Sequence, residues 1–455
     1  MNPVALSTIA NWVDGALLQG TPSTRVSSVS TDSRNLEEAD LFIALKGENF
    51  DAHEYLADIA AAGVPAMLVS DLPEATEKFQ GGIVRVKDTL QALQRLAYHH
   101  RKNSAGLRVV GVTGSNGKTS TKDFLAAVLS AAGAVNKTRG NLNNHIGLPL
   151  TILSGSEEDR FGVWEMGMNH PGEIEVLAEI AQPDAAVITN IGTAHIEHMV
   201  TRENIAKEKA SLAMAVPEEG FCVMPAADDF FDFVERSIKC EIIPVGIDEG
   251  NVQARNLASA SGGGMKFELV SEFDIASEVT IPVRGRHMVQ NALLAAAVGY
   301  KQGLSTSQIA ESLSNVELTG GRLQERVIKG VTILDDSYNA NPDSMNAALR
   351  TLKDADVSGR RIAVLGFMGE LGEHELNEHR RLGESVVSNG VNVLVTVGGR
   401  ASVIGETAGG LDENRNFETH EEAADFLSGI LTPDDMVLVK GSRAAAMEKV
   451  IELLN

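Results

Sequence analysis

Residues 111–121 read Gly-Val-Thr-Gly-Ser-Asn-Gly-Lys-Thr-Ser-Thr. An apolar run at 107–112 leads into them, and Phe124, Leu125, Val128 and Leu129 follow on one helical face that ends at Gly133. A buried strand that turns through glycines straight into an amphipathic helix belongs to an α/β layer fold. The loop also has a chemistry. Glycines let backbone N–H groups converge on phosphate oxygens, the helix N-terminus adds partial positive charge, Lys118 supplies a point charge and Thr119 an oxygen for magnesium. Strict P-loop spacing requires glycine at 112, where Val112 stands, so this is a one-residue variant. The expected nucleotide contacts are Gly114, Ser115, Asn116, Gly117, Lys118, Thr119 and Ser120.

The same α/β alternation recurs along the chain. At 455 residues the polypeptide is too long for one core, and about three domains are expected. Apolar strands are predicted at 41–45, 66–69 and 83–86, with helices at 54–62 and 89–100. A polar linker at 101–105 closes this unit, giving a first domain over 1–103. Strands at 107–112, 161–166, 185–191 and 221–224 define a second, over 104–315. The pair Gly320-Gly321 precedes a third series, at 331–334, 362–365, 391–397 and 436–439, so the last domain spans 316–455. No internal repeat appears.

Net charge of −23 argues against nonspecific nucleic-acid binding and against docking on anionic lipid. Cys222 and Cys240 are the only cysteines, too few for a disulfide framework, which points to a reducing cytoplasm. No Lys or Arg precedes Arg25 and no apolar run could span a bilayer, so neither a secretory signal nor a membrane span is expected.

Magnesium takes a few oxygen ligands and keeps several waters. Glu165, where the strand at 161–166 stops, and His195, just past the strand at 185–191, fall where strand ends face the crevice above a parallel sheet.

With these residues in hand the whole chain resembles the Mur ligases. The family's Thr-Gly-Thr-Asn-Gly-Lys-Thr loop is matched at 113–119, with Ser115 as the one change. Glu165 matches its strand-end acid, and Thr189, Asn190 and His195 its Thr-Asn-x-x-x-x-His pattern. The resemblance implies a three-domain α/β architecture: a small N-terminal UDP-sugar-binding domain, a central P-loop ATPase-like domain and a C-terminal Rossmann-like domain. Lys209, more than Lys207, is similar to the family lysine that is carbamylated, a change that turns an ammonium into an anionic oxygen ligand. The implied metal set is Thr119, Glu165, His195 and Lys209 around two magnesium ions. Arg322 resembles the γ-phosphate arginine, and Asp336, Asn339 and Asn341 the adenine and ribose segment. Lys118, His195, Lys209 and Arg322 are then the catalytic group.

Ser30, Thr31, Asp32, Ser33 and Arg34, with Gly47, Asp51 and His53, are similar to the module that binds the UDP-sugar. Asn141, Asn143 and Asn144 resemble the peptide loop of the dipeptide-adding branch. The strand ends at Lys440, Ser442 and Arg443, and at 365–372, suit a second substrate; the latter lacks dinucleotide glycine spacing, so no nicotinamide cofactor is expected. The resemblance implies an ATP-dependent amide ligase that adds D-alanyl-D-alanine to UDP-N-acetylmuramoyl-tripeptide through an acyl phosphate, acting as a monomer. The domains are expected to close about Gly320-Gly321. A folylpolyglutamate-synthase-like ligase is the alternative; it would not need the Ser-Thr-Asp-Ser-Arg segment.

Overall fold

Three large β-sheets, besides a two-stranded pairing of Val4–Ala5 with Arg25–Val26, organise the chain in the computed structural model, which describes residues 1–36, 39–47, 49–72, 79–260 and 262–455. The first is five-stranded, in spatial order Ala16–Gln19, Gly82–Arg85, Ala66–Val69, Leu41–Ile43 and Val29–Ser30. All its pairings are parallel except that of Ala16–Gln19. Ala66–Val69 and Leu41–Ile43 are buried throughout, as strands covered on both faces must be.

The helix Thr89–Asn103 continues through the first three residues of the linker expected at 101–105. Its extra turn is anchored by Arg101, whose Nε donates to the Ala181 carbonyl at 3.0 Å and whose Nη2 reaches Asp184 at 2.9 Å. The polar residues that suggested a linker thus serve as a tether.

A nine-stranded sheet forms the middle. Its strand Arg108–Thr113 lies between Asp159–Glu165 and Ala185–Ile188, pairing parallel with both. The registers Glu165↔Val112 and Ile188↔Thr113 bring three strand ends to one level. Everything that follows those ends, including the glycine loop, therefore opens into one crevice. The strand expected over 185–191 stops at Ile188, because Thr189 and Asn190 turn aside to hold that loop. Four further strands, Glu241–Ile247, Val252–Ser259, Met265–Ser271 and Ser277–Ile281, extend the sheet beyond anything the apolar runs indicated. Val252–Ser259 is buried only at Val252 and Ala254, and Ser277–Ile281 only at Val279 and Ile281, so neither gives a continuous apolar signal.

The third sheet has six strands, in order Gln324–Ile328, Val331–Asp336, Met436–Lys440, Arg361–Leu365, Val393–Val397 and Glu413–Phe417. Only the first pairing is antiparallel. Asp336 and Leu365 both stand opposite Lys440, so the segments after these three strands converge. No helix among the described residues is long and apolar enough to cross a membrane.

Candidate active site

The ends of the second and third sheets face each other across a cleft of about 1320 Å³. On one wall is the phosphate loop, which leaves no room for a side chain at its two glycines. Gly117 caps the helix Lys118–Ser130 at φ 78°, and a Cβ there would meet Asn291 Oδ1 at 2.8 Å. At Gly114 (φ 152°) a Cβ would lie 1.8 Å from Thr189 Oγ1. Neighbouring strand ends hold the loop from below. Ser115 N donates to the Asn190 carbonyl at 3.0 Å, Asn116 N to Asn190 Oδ1 at 3.0 Å, and Gly192 N to Ser115 Oγ at 2.9 Å.

Lys118 folds back so that its Nζ donates to the Gly114 carbonyl at 2.8 Å. Burial lowers its pKa, opposed by the Glu165 carboxylate. An anionic phosphate would supply the charge this ammonium lacks. Glu165 itself is buried and fully engaged: Thr119 Oγ1 donates to it at 2.9 Å, Asn143 Nδ2 at 2.8 Å, and its N–H donates to Thr138 Oγ1 at 2.9 Å. A carboxylate beside a hydroxyl at a phosphate loop is an oxygen-only donor set, which fits magnesium. Among the described residues no group of three or more His, Cys, Asp or Glu forms a metal cage.

Lys209 is 1% exposed, and no hydrogen bond or ion pair reaches its Nζ among the described residues. Burial holds its amine well below the usual ammonium range, and the charge of Lys118 acts in the same direction. Lys207 is exposed. Glu208, between them, caps another helix by accepting from Gly172 N at 2.8 Å and Ile174 N at 2.7 Å.

The opposite wall comes from the third sheet. Arg322 lies over the Tyr338 ring at 4.2 Å, with its Nε buried and unpartnered. Ser442 is buried with its Oγ also unpartnered. Two expected ligand contacts are instead engaged with each other: Lys440 Nζ donates to Asp336 Oδ2 at 2.5 Å and to the Asn339 carbonyl at 2.9 Å. Lys440 therefore braces the Asp336–Asn339 segment from within the cleft lining. Arg443 pairs with Glu448 at 2.8 Å while its N–H lies 3.3 Å from Asn339 Oδ1.

Three contacts join the walls. Asn341 Nδ2 donates to Asn116 Oδ1 at 2.7 Å, Thr193 N and Oγ1 donate to Asp343 Oδ2 at 2.9 and 3.0 Å, and His195 Nδ1 lies 2.5 Å from Glu370 Oε2. This last approach is an ion-pair contact off the N–H direction, so Nδ1 has no aligned hydrogen-bond partner. His195 nevertheless holds the Glu370 carboxyl below its ordinary pKa.

Thus Ser115 through Ser120, Asn141, Asn143, Asn144, Glu165, His195, Arg322, Asp336, Asn339, Asn341, Lys440, Ser442 and Arg443 all line one cleft. The UDP-sugar candidates do not. Ser30, Thr31, Asp32, Ser33, Arg34, Gly47, Asp51 and His53 lie at the strand ends of the first sheet. There His53 Nε2 accepts from Ser70 N at 3.0 Å, which puts the ring proton on Nδ1, 2.6 Å from Asp51 Oδ1. Lys46, 2.8 Å from Asp51, and His53 keep that carboxyl ionised far below its usual range.

The cleft also contains His287 and Asn291, which the sequence reading passed over. Burial drives the His287 imidazole down to about 4, so it is neutral at pH 7. The spacing of four between His287 and Asn291, on one face of the helix Arg286–Lys301 just before its apolar run, was the available signal. Asp343 and Glu370 were equally missed, since their partners lie far away in sequence.

Family models match three consecutive stretches: the Mur ligase family catalytic domain over 25–101, the Mur ligase middle domain over 112–299 and the Mur ligase glutamate ligase domain over 321–443. The chain belongs to the Mur ligase family. UDP-N-acetylmuramoyl-tripeptide--D-alanyl-D-alanine ligase from Bacillus subtilis is 36% identical to it, over 98% of this chain and 96% of the relative. The enzyme of the same name from Escherichia coli is also 36% identical, over 100% and 99%. Among solved structures, MurF from Acinetobacter baumannii superposes with a TM-score of 0.92 at 34% identity, covering 100% of this chain and 99% of that one. MurF ligase from Thermotoga maritima in complex with ADP gives 0.84 at 30% identity, over 94% and 97%. Mycobacterium tuberculosis folylpolyglutamate synthase shares the fold, with a TM-score of 0.64 at 17% identity.

Proposed function

We propose that this chain adds D-alanyl-D-alanine to UDP-N-acetylmuramoyl-tripeptide, using ATP to activate the tripeptide carboxylate as an acyl phosphate. The observation that carries the reading is the cleft itself: a phosphate loop on one wall faces two buried, unpartnered polar groups, Arg322 Nε and Ser442 Oγ, on the other. Buried polar atoms without partners are costly in a folded protein, so a ligand is their natural complement. The near-complete coverage of relatives that carry this activity in their names supports the same substrates.

In this reading ATP lies along Gly114–Ser120 with its base toward Asp336, Asn339 and Asn341, and Lys118 and Arg322 neutralise the γ-phosphoryl charge from opposite walls. Magnesium, held by Thr119, Glu165, His195 and a carbamylated Lys209, would offset charge on the phosphates. An unprotonated lysine amine is the form that takes up carbon dioxide, and burial keeps Lys209 in that form. The tripeptide carboxylate attacks the γ-phosphorus and ADP leaves. The dipeptide amine then attacks the acyl carbon, and phosphate departs from the tetrahedral intermediate. Asn141, Asn143 and Asn144 hold the peptide, and the loop 366–372 with Ser442 and Arg443 seats the dipeptide. The uridine end rests on Ser30–Arg34, Gly47, Asp51 and His53.

We assign the working units to 1–103, 104–315 and 316–455, because the helices Thr89–Asn103 and Thr306–Ser314 end beside those limits. A single chain supplies every residue invoked, and closure about Gly320-Gly321 brings the walls together. The decisive assay is phosphate release with each substrate omitted in turn. Release is expected only with ATP, UDP-muramoyl-tripeptide and D-alanyl-D-alanine together; equal release without the dipeptide rejects the reading. An X-ray scattering curve unchanged by ATP analogue plus UDP substrate rejects the closure.

A further inference from the structure

The loop 366–372 leaves the strand Arg361–Leu365 and delivers Glu370 to the cleft opposite His195. Its backbone departs from regular structure, with Glu370 at φ 59° and Gly372 at φ 53°. Residues in this region hold their conformation only where surrounding contacts dictate it. Two of those contacts are backbone bonds to the neighbouring strand end: Gly366 N to the Lys440 carbonyl at 2.8 Å and Ser442 N to the Phe367 carbonyl at 2.9 Å. The third comes from a side chain. Met368 N donates to His379 Nε2 at 3.0 Å, and His379 Nδ1 lies 2.7 Å from the Glu375 carbonyl.

These two bonds determine the ring's state. Nε2 accepts, so the proton is on Nδ1, where it is donated one turn back along the helix Glu375–Ser388. The ring is 1% exposed, and its burial favours the neutral form that an acceptor needs. Glu375 closes the frame: its carboxylate pairs with Arg400, whose guanidinium lies 4.0 Å from the centre of the Phe367 ring. Helix, ring and loop therefore form one unit two residues before Glu370.

We propose that His379 is a positioning residue for the dipeptide acceptor: by accepting the Met368 amide it fixes loop 366–372, and with it the seat of the incoming amine, without touching substrate. This rests on the assignment of that loop to D-alanyl-D-alanine. Loss of the acceptor frees the loop while the bonds that hold Ser115 and Asn116 to Asn190 do not involve it, so the two substrates separate kinetically. Small misplacements of a substrate seat have large kinetic effects.

The test is steady-state kinetics on His379→Leu and His379→Gln with wild type alongside. His379→Leu is expected to raise KM for D-alanyl-D-alanine roughly tenfold or more, with KM for ATP within about twofold. His379→Gln, which keeps an acceptor on a long side chain, is expected to recover most of the loss. Unchanged dipeptide KM in a folded His379→Leu overturns the proposal, as does a parallel rise in all three KM values that Gln does not rescue. Should the Leu variant not fold, ¹⁵N NMR of the wild-type ring decides: an Nδ1-protonated tautomer supports the anchor, and an Nε2-protonated one removes it. Wild type that makes amide from the dipeptide while these outcomes fail sinks the proposal alone. Wild type that ignores the dipeptide sinks the functional reading as well.

Discussion

The phosphate loop and the Ser30–Arg34 segment are both polar loops at the ends of parallel strands, yet they are built differently. In Gly114–Ser120 the backbone N–H groups of Ser115 and Asn116 are held by Asn190 at a neighbouring strand end, and two glycines have no space for a Cβ. The Ser30–Arg34 segment is held mainly by its own residues: Ser30 Oγ bonds the Asp32 and Asn35 carbonyls, and Arg34 pairs with Asp32 at 2.8 Å while 87% exposed. In the proposed reading the first loop is preorganised for triphosphate chemistry. The other is a surface whose cation remains available to a ligand, suited to holding a substrate by its handle. Electrostatic catalysis requires the first kind of construction, whereas anchoring far from the reacting bond tolerates the second.

This contrast is open to attack in order of expected effect. Lys118→Ala should lower kcat on the order of 10²–10³-fold, about 3–4 kcal/mol of transition-state stabilisation; near-normal turnover would remove the phosphate loop from the chemistry. Lys209→Ala should be comparably inactive and partly restored by a short carboxylate, while an intact-mass spectrum without a carbamate adduct under native conditions would leave Lys209 as a buried amine only. Gly117→Ala should strain the loop by about 1–2 kcal/mol and weaken ATP binding measured by calorimetry; a thermal midpoint and affinity equal to wild type would show the loop to be less constrained than its contacts imply.

At the other region, Arg34→Ala should raise KM for the UDP substrate roughly tenfold, the effect of one charge-assisted hydrogen bond, with kcat and melting temperature unchanged. A fall in kcat instead would erase the distinction between handle and engine. The smallest effect concerns pH. The hydrogen bond from Arg34 holds the Asp32 carboxyl at about 2, below its unfolded value. A depressed carboxyl stabilises the fold above its unfolded pKa and loses that contribution as pH falls toward 2. Because both partners are exposed, solvent screening keeps this slope shallow. Arg34→Ala should return Asp32 to an ordinary titration by NMR and leave acid unfolding almost unmoved.

The two regions also differ in how plainly they could be read. Glycine, lysine and threonine between an apolar strand and an amphipathic helix are local signals, so the phosphate loop was legible from Gly111 onward. Glu165 and His195 were found because strand ends point at a crevice. The strand end put Lys440 at the cleft, but its pairing with Asp336 was not legible, because the two are brought side by side only by the register of two strands distant in sequence. The same reason hid Asp343 against Thr193 and Glu370 against His195. The four outer strands of the central sheet escaped notice because periodicity detects strands buried on both faces better than those half in water.

Asn341 belongs to this long-range class and has a consequence of its own. Its Oδ1 accepts from Ser344 N at 2.9 Å and so starts the helix Pro342–Asp354, while its Nδ2 bonds Asn116 in the phosphate loop. Serine, threonine or aspartate could begin that helix equally well, but none carries a donor on the far side of the same group. The helix is consequently registered against the phosphate loop, and a sliding of the third sheet breaks this amide pair. The side-chain NH₂ resonance of Asn341 is thus a natural gauge for where the enzyme stands in its cycle.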